Sequence, residues 1–151
     1  MPLPEYRPKD GDVVGFRFLW SWERDAGHDK PRKMRPCLVA RVERADGKER
    51  VRLVPVSHRP MTNLPFLEVP TAYLKDAGLD GMGSCVIPGE VNITDWPSGA
   101  WDRKMLPMGR VPHTFVRAIA EVMDARIHKV REVDRDELAR EIVDDYRSMD
   151  R

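Results

Sequence analysis

Two apolar runs, Pro36 to Val42 and Val51 to Val56, flank a polar stretch that contains Ala45-Asp46-Gly47. Asp and Gly tolerate the positive φ that a tight turn between right-twisted strands demands, so the two runs are predicted to pair as an antiparallel hairpin. Everything else in the chain is read around that ribbon. Upstream, Val14, Phe16, Phe18 and Trp20 fall on one face of an alternating segment, with Val13, Gly15, Arg17 and Leu19 on the other. A period of two over Val13 to Trp20 predicts a half-buried strand, with Trp20 in the core.

Met1 to Asp12 carries three prolines and many charges and reads as an irregular lead-in. Ser21 to Met34 is polar and broken by Gly and Pro, hence a loop. Short strands are expected around Phe66-Leu67-Glu68-Val69 and from Ser84 to Ile87. Between them, Thr71 is placed to cap a short helix over Ala72 to Ala77 that Gly78 stops. The segment GEVNITDWPSGAW is rich in Gly, Pro and Trp and is expected to be largely irregular. Past Gly109-Arg110-Val111-Pro112 the period becomes helical: Phe115, Ile119, Val122, Met123 and Ile127 trace one face. Asp134 with Glu137 forms a capping-box signal before Leu138, Ile142, Val143, Tyr146 and Met149, predicting a second amphipathic helix.

Short strands joined by tight turns, then terminal helices, predict an α+β fold. Its centre is a small, strongly curved antiparallel β-barrel with helices outside. At 151 residues there is room for one ordinary domain. The expected division is a barrel over residues 1–130 and a C-terminal helical extension over 131–151.

Composition narrows the chemistry. Lys and Arg number 26 against 25 acidic residues, so the net charge of +1 offers no general attraction to a polyanion. Attraction must be local, and the sequence is locally basic at GHDKPRKMRPCLVARV, Gly27 to Val42. There His28, Lys30, Arg32, Lys33 and Arg35 run directly into the apolar strand. Cations at the rim of a sheet suit a phosphate-rich ligand. Cys37 and Cys85 sit singly in predicted strands, and the four histidines show no metal-ligand spacing, so neither a metal nor another cofactor is expected. No apolar run is long enough to span a bilayer and the N-terminus does not read as a secretory signal, which predicts a cytoplasmic protein without membrane contact.

Six short motifs, in order, resemble the PemK/MazF family of toxin-antitoxin ribonucleases, especially its PemK-like growth inhibitors. They are Gly11-Asp12-Val13-Val14, Gly27-His28-Asp29-Lys30, Arg35-Pro36-Cys37-Leu38-Val39, Val54-Pro55-Val56-Ser57-His58, Pro65-Phe66-Leu67-Glu68-Val69 and Gly109-Arg110-Val111-Pro112. Together they cover Gly11 to about Ile127. The resemblance implies an SH3-like barrel and metal-independent cleavage of single-stranded RNA by attack of the substrate's own 2′-hydroxyl. It also implies a homodimer and a cognate antitoxin protein that occupies the RNA groove.

Carried onto this sequence residue by residue, the resemblance makes Arg35 the cation for the phosphorane and Ser57, where the family has threonine, the hydroxyl on the scissile phosphate. His28 becomes the acid-base residue. Glu90 is aligned with a family aspartate, as the base or the partner of Arg35, and Asp95 is a further acidic candidate. Lys30, Arg32, Lys33 and His58 would follow the RNA backbone, and Trp22, Trp96 or Trp101 could stack bases. The same residues admit a second reading: a non-catalytic barrel that binds nucleic acid or a peptide.

Overall fold

The structure, a computed structural model, describes residues 6–28, 33–59, 63–79, 83–98, 101, 104, 106–126 and 129–138. Its centre is the predicted hairpin. β2 (Arg35–Ala45) and β3 (Lys48–Ser57) pair from Cys37↔Pro55 to Ala45↔Lys48. Asp46 and Gly47 turn between them at φ 54° and 75°. One register shift, between Val39 and Arg41, marks a bulge. The extra residue resets the alternation, so that Val42 joins the same core cluster as Val39.

β1 (Asp12–Phe16) lies antiparallel to β2, with Val13 opposite Leu38 and Phe16 opposite Arg35. β7 (Gly109–Arg110) flanks β1. β3 has two further partners. Its first half pairs with β6 (Glu90–Trp96), and its last two residues pair with β5 (Cys85–Val86), which in turn holds β4 (Leu67–Glu68). A strand shared in this way must bend, and the sheet curls into a half-barrel. The curled, largely antiparallel α+β architecture agrees with the sequence expectation at that level.

The sheet is buried on both sides. Val13, Leu38, Val54 and Val56 face a core closed by Phe115, Val116 and Ile119 of α3 (His113–Ala125) and by Leu74 of α2 (Thr71–Leu74). Val14, Phe16, Cys37, Val39, Val51 and Leu53 face a second core with Phe18, Trp20 and Trp101. Cross-strand neighbours Val13, Leu38 and Val54 thus share one face, while Val14 and Cys37 share the other, as a period of two dictates. Both cysteines are buried free thiols.

Four local expectations need correction. The first strand ends at Phe16, and Ser21–Asp25 forms a short helix, α1, where a loop was predicted. Glu90 to Trp96 is a seven-residue strand, not irregular chain, because Val91 and Ile93 are buried on one side while Asn92 and Thr94, also buried, hydrogen-bond to Leu19 and Asp136 on the other. Thr71 does not cap α2; it is the first helical residue, after Pro70, with no side-chain cap. Arg131–Asp134, expected to begin the C-terminal helical extension, forms β8 and adds parallel to β6 at the edge of the sheet. The capping signal itself holds: Asp134 Oδ1 accepts the N–H groups of Asp136 and Glu137 at 3.1 and 3.0 Å, opening a helical turn at 135–138. Ile142, Val143, Tyr146 and Met149 lie outside the described residues.

Gly109 has a steric reason to be glycine: a Cβ there would stand 2.2 Å from the carbonyl oxygen of Asp76, which is backbone and cannot swing away. Gly47 has open space around it and only its positive φ to defend. Gly109→Ala is therefore expected to cost about 3 kcal/mol of unfolding free energy through overpacking, against about 1 kcal/mol for Gly47→Ala from left-handed backbone strain. Urea unfolding of the two variants beside the parent protein measures the difference.

Candidate functional site

Arg35 begins β2 and Ser57 ends β3. The β2–β3 ladder opens at Cys37 opposite Pro55, so Arg35 and Ser57, each two residues further out on its strand, stand at the same end of the ribbon. Both line a cleft of about 400 Å³ with Lys33, His58 and Arg59, closed at its apolar side by Val56 and Leu79. Among the described residues no Asp or Glu lines it. The local cationic character that the net charge concealed is concentrated here.

The Arg35 guanidinium lies over the Trp20 ring, 5.1 Å from its centroid. Trp20 is in turn stacked on Trp22, at 4.5 Å and 19° between ring planes. A cation on an aromatic face is held by about 0.5 to 2 kcal/mol without losing its charge, so Trp20 aims Arg35 without neutralising it. Arg35 Nε is buried and has no hydrogen-bond partner among the described residues, and no ion pair to Arg35 is formed there. Trp20 belongs to the core, as its alternation predicts, and also carries the arginine. That second role depends on the side chain that reaches it from β2.

Trp20 is held by β6. Asn92, fully buried, accepts the Leu19 N–H on Oδ1 at 2.9 Å and donates Nδ2 to the Leu19 carbonyl at 2.7 Å. Glu90 accepts the Ser21 N–H at 2.6 Å and the Ser21 hydroxyl at 2.7 Å. The residues on both sides of Trp20 are thus fixed to one strand. Arg135, from the turn after β8, adds a guanidinium over the Phe16 ring at 5.5 Å and bonds to the Arg17 carbonyl and to Asn92 Oδ1.

The sequence-predicted residues divide accordingly. Arg35, Ser57, His58 and Lys33 come together. Glu90 does not: it is 2% exposed, committed to Ser21, and not among the cleft-lining residues. Asp95 pairs with Arg50 at 3.3 Å. His28 is exposed after α1, its backbone N–H on the Glu23 carbonyl, and it does not line the cleft. Lys30 and Arg32, with Asp29, lie outside the described residues. Arg59 was missed; its place two residues beyond Ser57 in a short polar run was the available signal.

Within the cleft, Ser57 Oγ donates to the Arg59 carbonyl at 2.9 Å and accepts the Arg59 N–H at 3.3 Å, a local turn that fixes the end of β3. His58 Nδ1 is 3.3 Å from the Gly83 carbonyl. A carbonyl only accepts, so that contact places the proton on Nδ1 and makes Nε2 the basic nitrogen of the neutral ring. The arrangement can bind a phosphodiester through Arg35, Lys33 and Arg59 and can move a proton at His58. Among the described residues no group of three or more His, Cys, Asp or Glu is placed to hold a metal ion. No helix there is long and apolar enough to cross a membrane.

Burial raises the Glu90 pKa, and the two bonds from Ser21 only partly oppose it. A carboxyl whose folded pKa exceeds its unfolded one binds protons more tightly in the native state. The resulting stabilisation is present at low pH and is lost as pH rises from the ordinary glutamate range, about 4.3, through the raised value. Glu90→Gln keeps the shape, accepting from the Ser21 N–H and donating to its hydroxyl. Denaturant midpoints of both proteins between pH 4 and pH 8 are expected to show the parent gaining on the variant as pH falls. Comparison of the chain with protein-family models, with curated proteins and with solved structures finds no match.

Proposed function

We propose that the Arg35–Ser57 cleft binds single-stranded RNA and cleaves it without a metal, by attack of the substrate's 2′-hydroxyl on the adjacent phosphate. The observation that carries this reading is one cleft lined, among the described residues, by three cations, two serine hydroxyls and a histidine, at the end of the β2–β3 ribbon. Cleavage of this kind needs a base for the 2′-hydroxyl, an acid for the departing 5′-oxygen and a cation for the charge that builds on the phosphorane. Arg35 supplies the cation: a guanidinium spans two phosphate oxygens and stays charged. In this reading His58, which lines the cleft, takes the 2′-hydroxyl proton, and His28 is the second acid-base histidine. Ser57 hydrogen-bonds the phosphate by exchanging the Arg59 carbonyl for a phosphate oxygen. Trp22, 44% exposed and stacked on Trp20, offers its outer face to a base.

The ordered PemK/MazF-like motifs support the same reading and extend it. The protein would act as a growth-inhibiting toxin, as a homodimer, restrained by an antitoxin whose acidic segment fills the cationic cleft. One observation favours a second reading, in which the cleft binds nucleic acid without cutting it: Glu90 is committed to Ser21, and among the described residues no carboxylate lines the cleft.

Purified protein incubated with mixed-sequence single-stranded RNA in EDTA is expected to release fragments ending in 2′,3′-cyclic phosphate. Arg35→Ala should lower the rate by about 10² to 10³, the usual effect of removing one stabiliser of transition-state charge, and Arg35→Lys should not restore it fully. His58→Ala should lower the cleavage rate by about 10² or more, the usual effect of removing a general acid-base group. Salt-dependent binding that leaves the RNA intact selects the second reading, and neither binding nor cleavage discards both.

A further inference from the structure

At the opposite end of the same ribbon, about 30 Å from Arg35 along β2 at the usual rise per residue, lies a second basic pocket. It has a volume of about 370 Å³ and is lined by Arg7, Arg44, Lys48, Glu49, Trp96 and Pro97. That is within the range of small-molecule sites. Its composition differs from that of the Arg35 cleft in two respects. Among the described residues its lining includes an aromatic ring, Trp96, and a carboxylate, Glu49.

Arg44, Glu49 and Trp96 are direct neighbours across three strands, Arg44 opposite Glu49 and Glu49 opposite Trp96. Tyr6 and Trp101 pack against Trp96 at near-right angles, with centroids 5.5 and 4.9 Å away, and fix its indole. Glu49 Oε1 has only a long contact, 3.5 Å, to Arg44 Nε. Its other oxygen, Oε2, is buried and accepts no hydrogen bond among the described residues. A shielded carboxylate oxygen without a donor is costly, and a ligand that brings an N–H recovers that loss. Arg7 and Lys48 form no ion pair among the described residues. Arg44, whose side chain is 74% exposed, can swing aside to admit a ligand to Glu49.

A ligand matching all of this has a flat aromatic ring, an edge that donates hydrogen bonds and a phosphate. Among nucleobases guanine alone presents a ring N–H and an amino group side by side, the pair a carboxylate accepts best. We infer that this pocket is a guanine-nucleotide site, with the phosphate on Arg7, Arg44 and Lys48, the base against Trp96, and its donating edge on Glu49. The nucleotide is either free or one residue of an RNA strand. The inference stands on different residues from the Arg35 cleft and does not rest on the reading given for it.

Calorimetric titration of the full chain with GMP, IMP, AMP and UMP tests it. GMP is expected to bind at least tenfold more tightly than AMP or UMP, with IMP, which lacks the amino group, in between. Lys48→Glu should weaken GMP tenfold or more. Glu49→Gln, with unchanged melting temperature, should erase the preference for GMP over AMP, and Arg35→Ala should leave the GMP titration as it was. A hexanucleotide with a single guanine, titrated into Arg35→Ala, separates the two sources: binding tighter than GMP that Glu49→Gln abolishes assigns the pocket to RNA, weaker binding to the free nucleotide, and either supports the site. Equal affinity for all four nucleotides, no saturation with GMP at millimolar concentration, or GMP binding lost in Arg35→Ala overturns it.

Discussion

The β2–β3 ladder is the constraint on which the rest of the molecule depends. It supplies neighbours to β1, β5 and β6, its turn-distal half contributes side chains to both cores, and its two ends carry the two basic pockets. Antiparallel pairing with a two-residue turn fixes which residues stand opposite one another. Once Asp46 and Gly47 set the turn, Arg35 and Ser57 are brought to the same end of the ribbon without any further instruction. A slip of one residue in that register would send every core side chain to the wrong face, so the apolar alternation that specifies the fold also specifies the cleft.

Polar groups complete what the ladder leaves open. β6 lies against β3 and could have been a purely apolar strand, yet Glu90 and Asn92 are buried in it and are spent on holding residues 19–21. Holding that segment fixes Trp20, and Trp20 fixes the guanidinium of Arg35. Glu90 therefore acts on the cleft through Ser21 and Trp20 as a positioning residue, without touching it. Asp12 does comparable work at the other side of β1. Buried, it accepts the Tyr6 hydroxyl at 2.5 Å and Arg110 at 2.9 and 3.0 Å, tying the lead-in to β7. Burial and that bond to a carboxylate push the Tyr6 phenol well above its ordinary range. The turn after β8 is fastened by Arg50, which meets Asp95, Asp134 and Asp136.

Strand alternation and turn chemistry made the central hairpin, the β1 face and α3 legible from the residues alone, because each rests on local spacing that tertiary context reinforces. Arg35, Ser57 and Lys33 were legible as a group for the same reason: two sit at the ends of paired strands and the third precedes one of them by two positions. β6 and β8 were not legible. Gly89, Pro97 and two tryptophans surround β6 and suggest irregular chain, and only the flanking presence of β3 and β8 turns it into a central strand. β8 is four residues long with three charges, and nothing in REVD alternates strongly enough to announce pairing.

By itself the sequence determined that the chain would build a small curled sheet around one hairpin, with a cationic rim where that hairpin opens. Local φ preferences and a period of two decide those matters before any long-range contact forms. Tertiary structure alone decided the fate of the charges. Glu90 and Asp95 both read as acidic candidates for the site, but one is buried on Ser21 and the other faces Arg50. His58 enters the cleft while His28 lies outside it. A charged side chain's role is set by which donors and rings the folded chain places within a few ångströms, and spacing along the chain does not carry that information.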